Sequence, residues 1–328
     1  MTPTFPMRAL CAASAFVCAL AAHVAAGQQY PAREIHSICN FPAGSGADVI
    51  VRFYSDRLSR LAGRPVIVEN RVGAQGIIAT EAVAHSRPDG YTIMITPASA
   101  TLATAPHIFK TLPFDPIRDF AAVTTIARLP FVIAVDASSP VRSVADLIEQ
   151  LKKRPGEGAY GAASSSGQIS GELFKEMAHL QTTYIPYIQS MQGVTDLLLG
   201  QTDFLAYDAT FAFQQSTARG GRLRILAQTS ARRTAALPDV PTMAELGYTG
   251  FDVTPWWGVV VPAGTPRAVI DRLAAWFNEI GATEDARQFL LNGAFDPFPG
   301  TPESMTALLK SDIDRWGQYV RLAKIPAQ

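Results

Sequence analysis

Two short segments of small residues carry the groups that could bind a ligand. Residues 42–48 contain two glycines and Ser45, and residues 160–168 contain three serines. Each segment follows an apolar run typical of a strand and precedes a run typical of a helix. Its backbone N–H groups and hydroxyls would therefore converge near the positive end of a helix. This chemistry suits a carboxylate or another polar ligand.

Both segments also have a purely structural interpretation. The first could be a turn whose glycines serve packing, and the second could be a capped, serine-rich turn. Neither contains the Gly-Lys-Ser/Thr of a phosphate cradle, and the first does not spell the Gly-x-Gly-x-x-Gly of a dinucleotide site. Asp48 is placed to cap or complement its helix, so a structural role is favoured for it over ligand contact.

The sequence offers little support for catalysis. The histidines that follow residue 26 are scattered at His36, His85, His107 and His179. There is no His-Glu-x-x-His, Cys-x-x-Cys or Gly-x-Ser-x-Gly motif. We therefore expect no enzyme, no metal and no cofactor. A secreted serine hydrolase stays open as an alternative, because the members of a triad meet in space and not in sequence.

Residues 1–26 have the form of a secretory signal. One basic residue, Arg8, precedes an apolar stretch over residues 9–22 that is shorter than the ~20 residues needed to span a bilayer. We expect cleavage near Ala26 and an exported protein. Of the three cysteines only Cys39 follows the signal, so no internal disulfide is expected and this thiol should simply pack.

Composition limits the class of partner. The chain has 28 basic and 28 acidic residues, and the signal removes one arginine and no acid, so the net charge stays close to zero. Nothing here favours nucleic acid or an anionic membrane surface. Hydrophobic residues make up 48% of the sequence, and a length of 328 residues predicts two lobes.

Strand-like and helix-like runs alternate along the chain, which predicts an α/β fold with largely parallel sheets. Strands are predicted at 35–41, 65–68, 91–95, 131–135, 202–207 and 223–228, and helices at 144–153, 171–179 and 191–199. Thr265-Pro266 and Thr301-Pro302 each predict a threonine N-cap with proline at the first helical position. No polar linker is present, so we expect the chain to cross between lobes near residues 123–130 and 248–254.

Short motifs in a shared order resemble the tripartite tricarboxylate transporter receptors of bacterial periplasm, the Bug or TctC family. The resemblance covers nearly the whole chain after the signal. Its motifs include Phe41-Pro42 with Gly44 and Asp48, Val66 to Arg71 followed by Gly73 and Gly76, Pro88-Asp89-Gly90-Tyr91-Thr92, Leu112-Pro113-Phe114-Asp115-Pro116, Gly171-Glu172-Leu173-Phe174, Leu237-Pro238-Asp239-Val240-Pro241-Thr242 and Pro262-Ala263-Gly264-Thr265-Pro266.

The resemblance implies a two-lobed periplasmic-binding-protein fold, of the Venus flytrap, type II-like kind, with a ligand cleft between lobes. Residues 27–126 and 250–328 would form lobe 1, and residues 127–249 would form lobe 2. The implied ligand is a small organic acid that is delivered to membrane transporter subunits. A receptor that signals to a sensor kinase is the alternative. We expect a monomer.

The resemblance implies that residues 42–48 and 164–168 grip the ligand from opposite lobes and that residues 98–101 join them. Asp208 is added because it follows a predicted strand where a helix begins. Tyr187, an aromatic residue after a proline, is added as a residue that would line the cleft, with packing as an equal alternative. The candidate ligand-binding residues are Phe41, Pro42, Ala43, Gly44, Ser45, Asp48, Ser99, Thr101, Ser164, Ser165, Ser166, Gln168, Tyr187 and Asp208. No arginine lies in the three segments, so neutral donors would hold the carboxylate.

Two departures from the family pattern concern the ligand. The family usually has Pro-Pro-Gly-Gly where this chain has Pro42-Ala43-Gly44-Ser45, which adds a hydroxyl donor. The second segment is shorter than in family members and ends at Gln168, where a histidine is common. These changes leave the fold prediction intact but leave the identity of the acid open.

Overall fold

The computed structural model describes residues 30–216 and 219–327, so the signal predicted at residues 1–26 lies outside the described residues. The strands are β1 Ile35–Cys39, β2 Val66–Asn70, β3 Thr92–Thr96, β4 Phe120–Arg128, β5 Phe131–Asp136, β6 Gly158–Ala162, β7 Thr182–Pro186, β8 Phe204–Asp208, β9 Leu223–Gln228, β10 Trp256–Pro262 and β11 Asp296–Pro297. The α-helices are α1 Gly46–Ala62, α2 Ile77–Ala84, α3 Ala105–Ile108, α4 Val144–Lys152, α5 Ser165–Met177, α6 Ser190–Leu198, α7 Ala209–Gln214, α8 Arg267–Gly281, α9 Glu284–Asn292 and α10 Pro302–Leu322.

The strands form two sheets, which confirms the predicted α/β class. The first sheet has the order β11-β4-β10-β3-β1-β2, and the second has the order β7-β6-β8-β5-β9. Both sheets are mixed and not largely parallel: β10 runs antiparallel to β3 and β4, and β5 runs antiparallel to β8 and β9. The antiparallel neighbours arise because β4, β5 and β10 flank the places where the chain passes between the sheets.

The chain crosses between the sheets twice. It leaves the first sheet at residues 129–130, between β4 and β5, and returns through residues 229–255, between β9 and β10. The crossings lie side by side, because the Leu129 N–H donates to the Pro255 carbonyl at 2.9 Å and the Thr229 N–H donates to the Phe131 carbonyl at 2.9 Å. Hydrogen-bonded crossings of this kind can act as a hinge.

A continuous buried cluster takes side chains from both sheets, among them Met94 and Val260 from the first and Ile133 and Ala206 from the second. The C-terminal helix α10 adds Trp316, which is 1% exposed, as predicted from its helical spacing. The Cys39 thiol is also buried. Within the described residues, no helix is long and apolar enough to span a membrane.

The two threonine-proline signals have different outcomes. Thr301 caps α10 and Pro302 is its first residue, as predicted. At the other signal the prediction is off by one residue, because α8 begins at Arg267 and the extended Pro266 takes the N-cap position. The Thr265 hydroxyl instead donates back to the Pro262 carbonyl at 2.7 Å.

Candidate functional site

A cleft of about 600 Å³ lies between loops of the first sheet and the second sheet. Loops after β1, β2 and β3 form one side, and the start of α5 with the end of β7 forms the other. Among the described residues that line the cleft, none carries a charge. Seven of the candidate residues line it: Phe41, Pro42, Thr101, Ser164, Ser165, Gln168 and Tyr187.

The first segment is held by a helix cap. The Ser45 hydroxyl accepts a hydrogen bond from the Asp48 N–H at 3.2 Å, which makes Ser45 the N-cap of α1. Gly44 has φ +79°, a conformation that favours glycine, and it positions its N–H toward the Asp48 carboxylate at 2.8 Å. The structure places Ala43, Gly44 and Ser45 outside the cleft lining, because they turn into this cap.

The Asp48 carboxylate holds the loop of residues 42–48 in place through hydrogen bonds. Its fully buried carboxylate accepts hydrogen bonds from the Gly44 N–H, from Arg52 Nε at 2.7 Å and from Asn70 Nδ2 at 2.7 Å. Asn70 also donates to the Phe41 carbonyl at 2.9 Å, so the network reaches a cleft residue. Burial alone would raise the pKa of Asp48, but the donors from Arg52, Asn70 and Gly44 outweigh it and hold the pKa at about 2.

Asp48→Asn should lower the free energy of unfolding by about 1–3 kcal/mol at pH 7, because Arg52, Asn70 and the Gly44 N–H lose a buried charged acceptor. The folded pKa lies below the ordinary value, so this stabilisation is present above about pH 4 and is lost as the pH falls toward 2. Urea unfolding at pH 7 and pH 3 checks both statements. Asp56→Asn, on the exposed face of the same helix, is the control; an equal loss there would contradict the argument.

The third segment follows β3 as a π-helical turn, Ser99–Thr104. The Thr101 and Thr96 hydroxyls are hydrogen-bonded at 2.9 Å, and Thr96 donates to the Asn40 side-chain oxygen at 3.2 Å. This series of hydrogen bonds holds Thr101 at the cleft. Ser99 lies outside the lining. Its hydroxyl accepts from the Trp256 N–H at 2.9 Å and ties the end of the second crossing to this turn.

The second segment is more helical than predicted. Strand β6 continues to Ala162 and helix α5 begins at Ser165, so only residues 163–164 form the loop. The helix predicted to begin near Gly171 therefore starts six residues earlier. Ser164 is the N-cap, and its hydroxyl accepts from the Gly167 N–H at 3.2 Å. The Ser164 cap satisfies a backbone N–H of the first turn, which allows the helix to begin at Ser165.

This helix start places its N-terminal turn at the cleft. Ser164, Ser165 and Gln168 line the cleft, and the Ser165 hydroxyl has no hydrogen-bond partner among the described residues. Ser166 lies outside the cleft lining and is 6% exposed; its carbonyl accepts from the Ser170 hydroxyl at 2.9 Å. The turn therefore offers free backbone N–H groups and one free hydroxyl to a ligand.

Gly167→Ala should displace this turn. A Cβ at Gly167 would lie 2.5 Å from the Ala206 carbonyl oxygen, a backbone atom that cannot move aside. We expect a loss of about 1–3 kcal/mol in the free energy of unfolding. Gly46→Ala is the matched control, because Gly46 also lies in the first turn of a helix and a Cβ there meets nothing within 4 Å. Chemical denaturation of both variants is the measurement, and similar midpoints for the two would refute the clash.

The two remaining candidates differ in position. Tyr187 lines the cleft with its ring, and its hydroxyl donates to the Asp196 carboxylate at 2.9 Å. Burial, together with Asp196, raises the pKa of Tyr187 to about 12, so the phenol stays neutral. Asp208 lies outside the lining and caps α7, accepting from the Phe211 N–H at 2.9 Å. Burial raises the pKa of Asp208, and its backbone hydrogen bonds oppose this.

The cleft thus brings together half of the candidate residues and leaves Ala43, Gly44, Ser45, Asp48, Ser99, Ser166 and Asp208 in supporting positions. Sequence reasoning missed several lining residues. They include Asn40, Gln75, Ile77, Ile108, Phe109, Tyr184 and Ile325. Gly73 and Gly76, which have φ +142° and +96°, flank Gln75, and this pair of glycines was the available signal for that loop.

Comparison with known proteins identifies the family. Residues 50–324 match the model described as "Tripartite tricarboxylate transporter family receptor". Protein BugT of Bordetella pertussis is 35% identical over 295 residues, which cover 89% of this chain and 90% of that protein. The likeness therefore extends over nearly the full length of both chains.

Solved structures support the same family assignment. The R. palustris protein Rpa4515, solved with adipate, has a TM-score of 0.79 and 32% identity and covers 92% of this chain and 100% of its own. MatC from Rhodopseudomonas palustris, solved with bound malate, has a TM-score of 0.72 and 25% identity and covers 89% and 100%. This fold is that of periplasmic solute-binding proteins, as predicted, and it is a receptor fold and not an enzyme fold. The chain belongs to the tripartite tricarboxylate transporter family of receptors.

Proposed function

We propose that this protein is an extracytoplasmic receptor that binds a small organic acid in the cleft and delivers it to a membrane transporter. The observation that carries the proposal is the neutral cleft between the sheets, with the N-terminal turn of α5 and the free Ser165 hydroxyl at its wall. Neutral donors at a helix N-terminus suit a carboxylate. The adipate and malate found with two relatives support the same ligand class.

The energetics are adequate without an arginine. Each hydrogen bond from an N–H or hydroxyl to a carboxylate contributes ~1.5–3 kcal/mol, so three or four give micromolar binding after association costs of several kcal/mol. The apolar side chains of Ile77, Ile108, Phe109 and Ile325 line the same cleft and would contact the carbon skeleton of the acid.

The domain division proposed from the sequence follows the sheets. Residues 27–126 and 250–328 would form lobe 1 and residues 127–249 lobe 2, with closure about the two crossings. Support comes from the strand order, since β1–β4, β10 and β11 share one sheet and β5–β9 share the other. We also propose cleavage of the signal near Ala26, a periplasmic location and a monomeric receptor.

The test is a ligand screen on the purified protein. Mono-, di- and tricarboxylates are added in turn, and the melting temperature is measured, because a ligand of the folded state raises it. We expect one class of acid to give a clear shift and a one-to-one titration in calorimetry, with the acid recovered unchanged. A shift with neutral solutes only, or turnover of an ester, would contradict the proposal.

A second experiment tests whether the protein delivers its ligand to a membrane transporter. The ligand-loaded protein should bind the membrane subunits of a tripartite tricarboxylate transporter, and a pull-down from solubilised membranes measures this. Capture of a sensor kinase instead would favour the signalling alternative. The serine hydrolase alternative has little support, because no histidine of the described residues lines the cleft.

A further inference from the structure

A second cavity, of about 530 Å³, lies where the two crossings meet the C-terminal helix. It shares no lining residue with the cleft. Arg128 comes from the end of β4, residues 230–234 from the start of the return crossing, Asp252 and Thr254 from its end and Arg315 from α10. Its charged lining residues are Arg128, Arg232, Arg233, Arg315, Asp252 and Asp296.

The acids near this cavity are already engaged. Asp296 accepts from Arg128 at 3.2 Å, and Asp252 accepts from Arg315 at 3.3 Å. Glu245, outside the lining, pairs with Arg233 at 2.9 Å, and the buried Asp312 pairs with Arg315 at 2.6 Å. Each guanidinium has five N–H donors, so these pairs leave donors unused.

Three donor groups have no acceptor in the described part of the chain. The exposed Arg232 guanidinium has no ion pair, the buried Nε of Arg315 has no hydrogen-bond partner, and neither has the hydroxyl of Thr234, which is 4% exposed. The Arg315 Nε and the Thr234 hydroxyl are buried, so an anion in the cavity would be held by the accessible guanidinium groups of Arg232, Arg128 and Arg233. The unpaired groups are hydrogen-bond donors, which suit an anion and not a cation.

We propose that this cavity binds a small oxyanion of the phosphate or sulfate class. Arg232 supplies the unpaired charge, and Arg128, whose guanidinium stacks 4.4 Å from the ring centre of Phe298, supplies a second planar donor. The anion would join both crossings to α10. This site is separate from the carboxylate cleft and goes beyond the receptor function.

The test is a titration with inorganic phosphate, and then sulfate, at constant ionic strength set with chloride, with the melting temperature as the measurement. Both anions should raise the melting temperature of the unaltered protein. Arg232→Ala should weaken apparent phosphate affinity by about ten- to a hundredfold, and its melting temperature without phosphate should be unchanged because the side chain is exposed and unpaired. Arg60→Ala removes the same charge from an exposed site on α1 and should respond like the unaltered protein.

A third variant, Ser165→Ala, separates the cavity from the cleft. If its phosphate response is lost and that of Arg232→Ala is kept, the anion binds in the cleft and the proposal is overturned. Absence of any response, or an equal response in Arg232→Ala and Arg60→Ala, overturns it as well. None of these outcomes alters carboxylate binding in the cleft, which is measured in phosphate-free buffer.

Discussion

Replacement of Asp312 by alanine is expected to lower the free energy of unfolding by about 3–5 kcal/mol. The Asp312 side chain is 1% exposed and lies between α10 and β10. Its carboxylate accepts from the indole N–H of Trp256 at 2.6 Å, from that of Trp316 at 3.3 Å and from Arg315 at 2.6 Å. Alanine would leave the two buried indole N–H groups and the partly exposed Arg315 without this acceptor.

Asp314→Ala is the matched control, because Asp314 lies on the exposed face of the same helix. Its effect should stay within about 0.5 kcal/mol. Urea unfolding followed by tryptophan fluorescence measures both variants, since two of the donors are indoles. If the two variants unfold at the same urea concentration, the buried carboxylate does not hold the C-terminal helix to the sheet.

Most of the α/β framework could be predicted from the sequence, because strands and helices leave local patterns. The strand at Leu223–Gln228 coincides with its predicted bounds, and the helix at Val144–Lys152 differs from its prediction by one residue. Both have clear apolar periodicity, and the helix begins with a capping box at Ser143. The mixed strand directions were not predictable in this way, since they depend on how the chain returns from the second sheet.

The candidate site could be predicted where the composition of a loop, rich in glycine and serine, marks it in the sequence. The glycines and serines of residues 42–48 and 160–168 located two walls of the cleft. Ile325 could not be found, because it follows the C-terminal helix, far along the chain from the cleft loops. Phe109 could not be found either, because an apolar residue at the end of α3 carries no polar group that would mark it as a site residue. Ser99 shows the opposite failure: its hydroxyl, predicted for a ligand, is used by the Trp256 backbone. Sequence identifies polar groups but not whether the protein already satisfies them.

Ser165→Ala is expected to weaken binding of the best acid from the screen by about ten- to a hundredfold, which corresponds to the loss of one hydrogen bond to a carboxylate. The Ser165 side chain lines the cleft, and its hydroxyl makes no hydrogen bond within the described residues, so the unliganded protein loses nothing when it is removed. The melting temperature without ligand should therefore be unchanged.

Substitution of the neighbouring Ser164 is expected to have a different effect, on stability. Its hydroxyl caps α5 by accepting from the Gly167 N–H, so Ser164→Ala should lower the free energy of unfolding by about 1 kcal/mol. Ser138→Ala, an exposed serine far along the chain from both loops, controls for the substitution itself. Calorimetric titration gives affinity and urea unfolding gives stability. Unchanged affinity in Ser165→Ala would remove the α5 turn from the ligand site, because that hydroxyl is the donor that the fold leaves free.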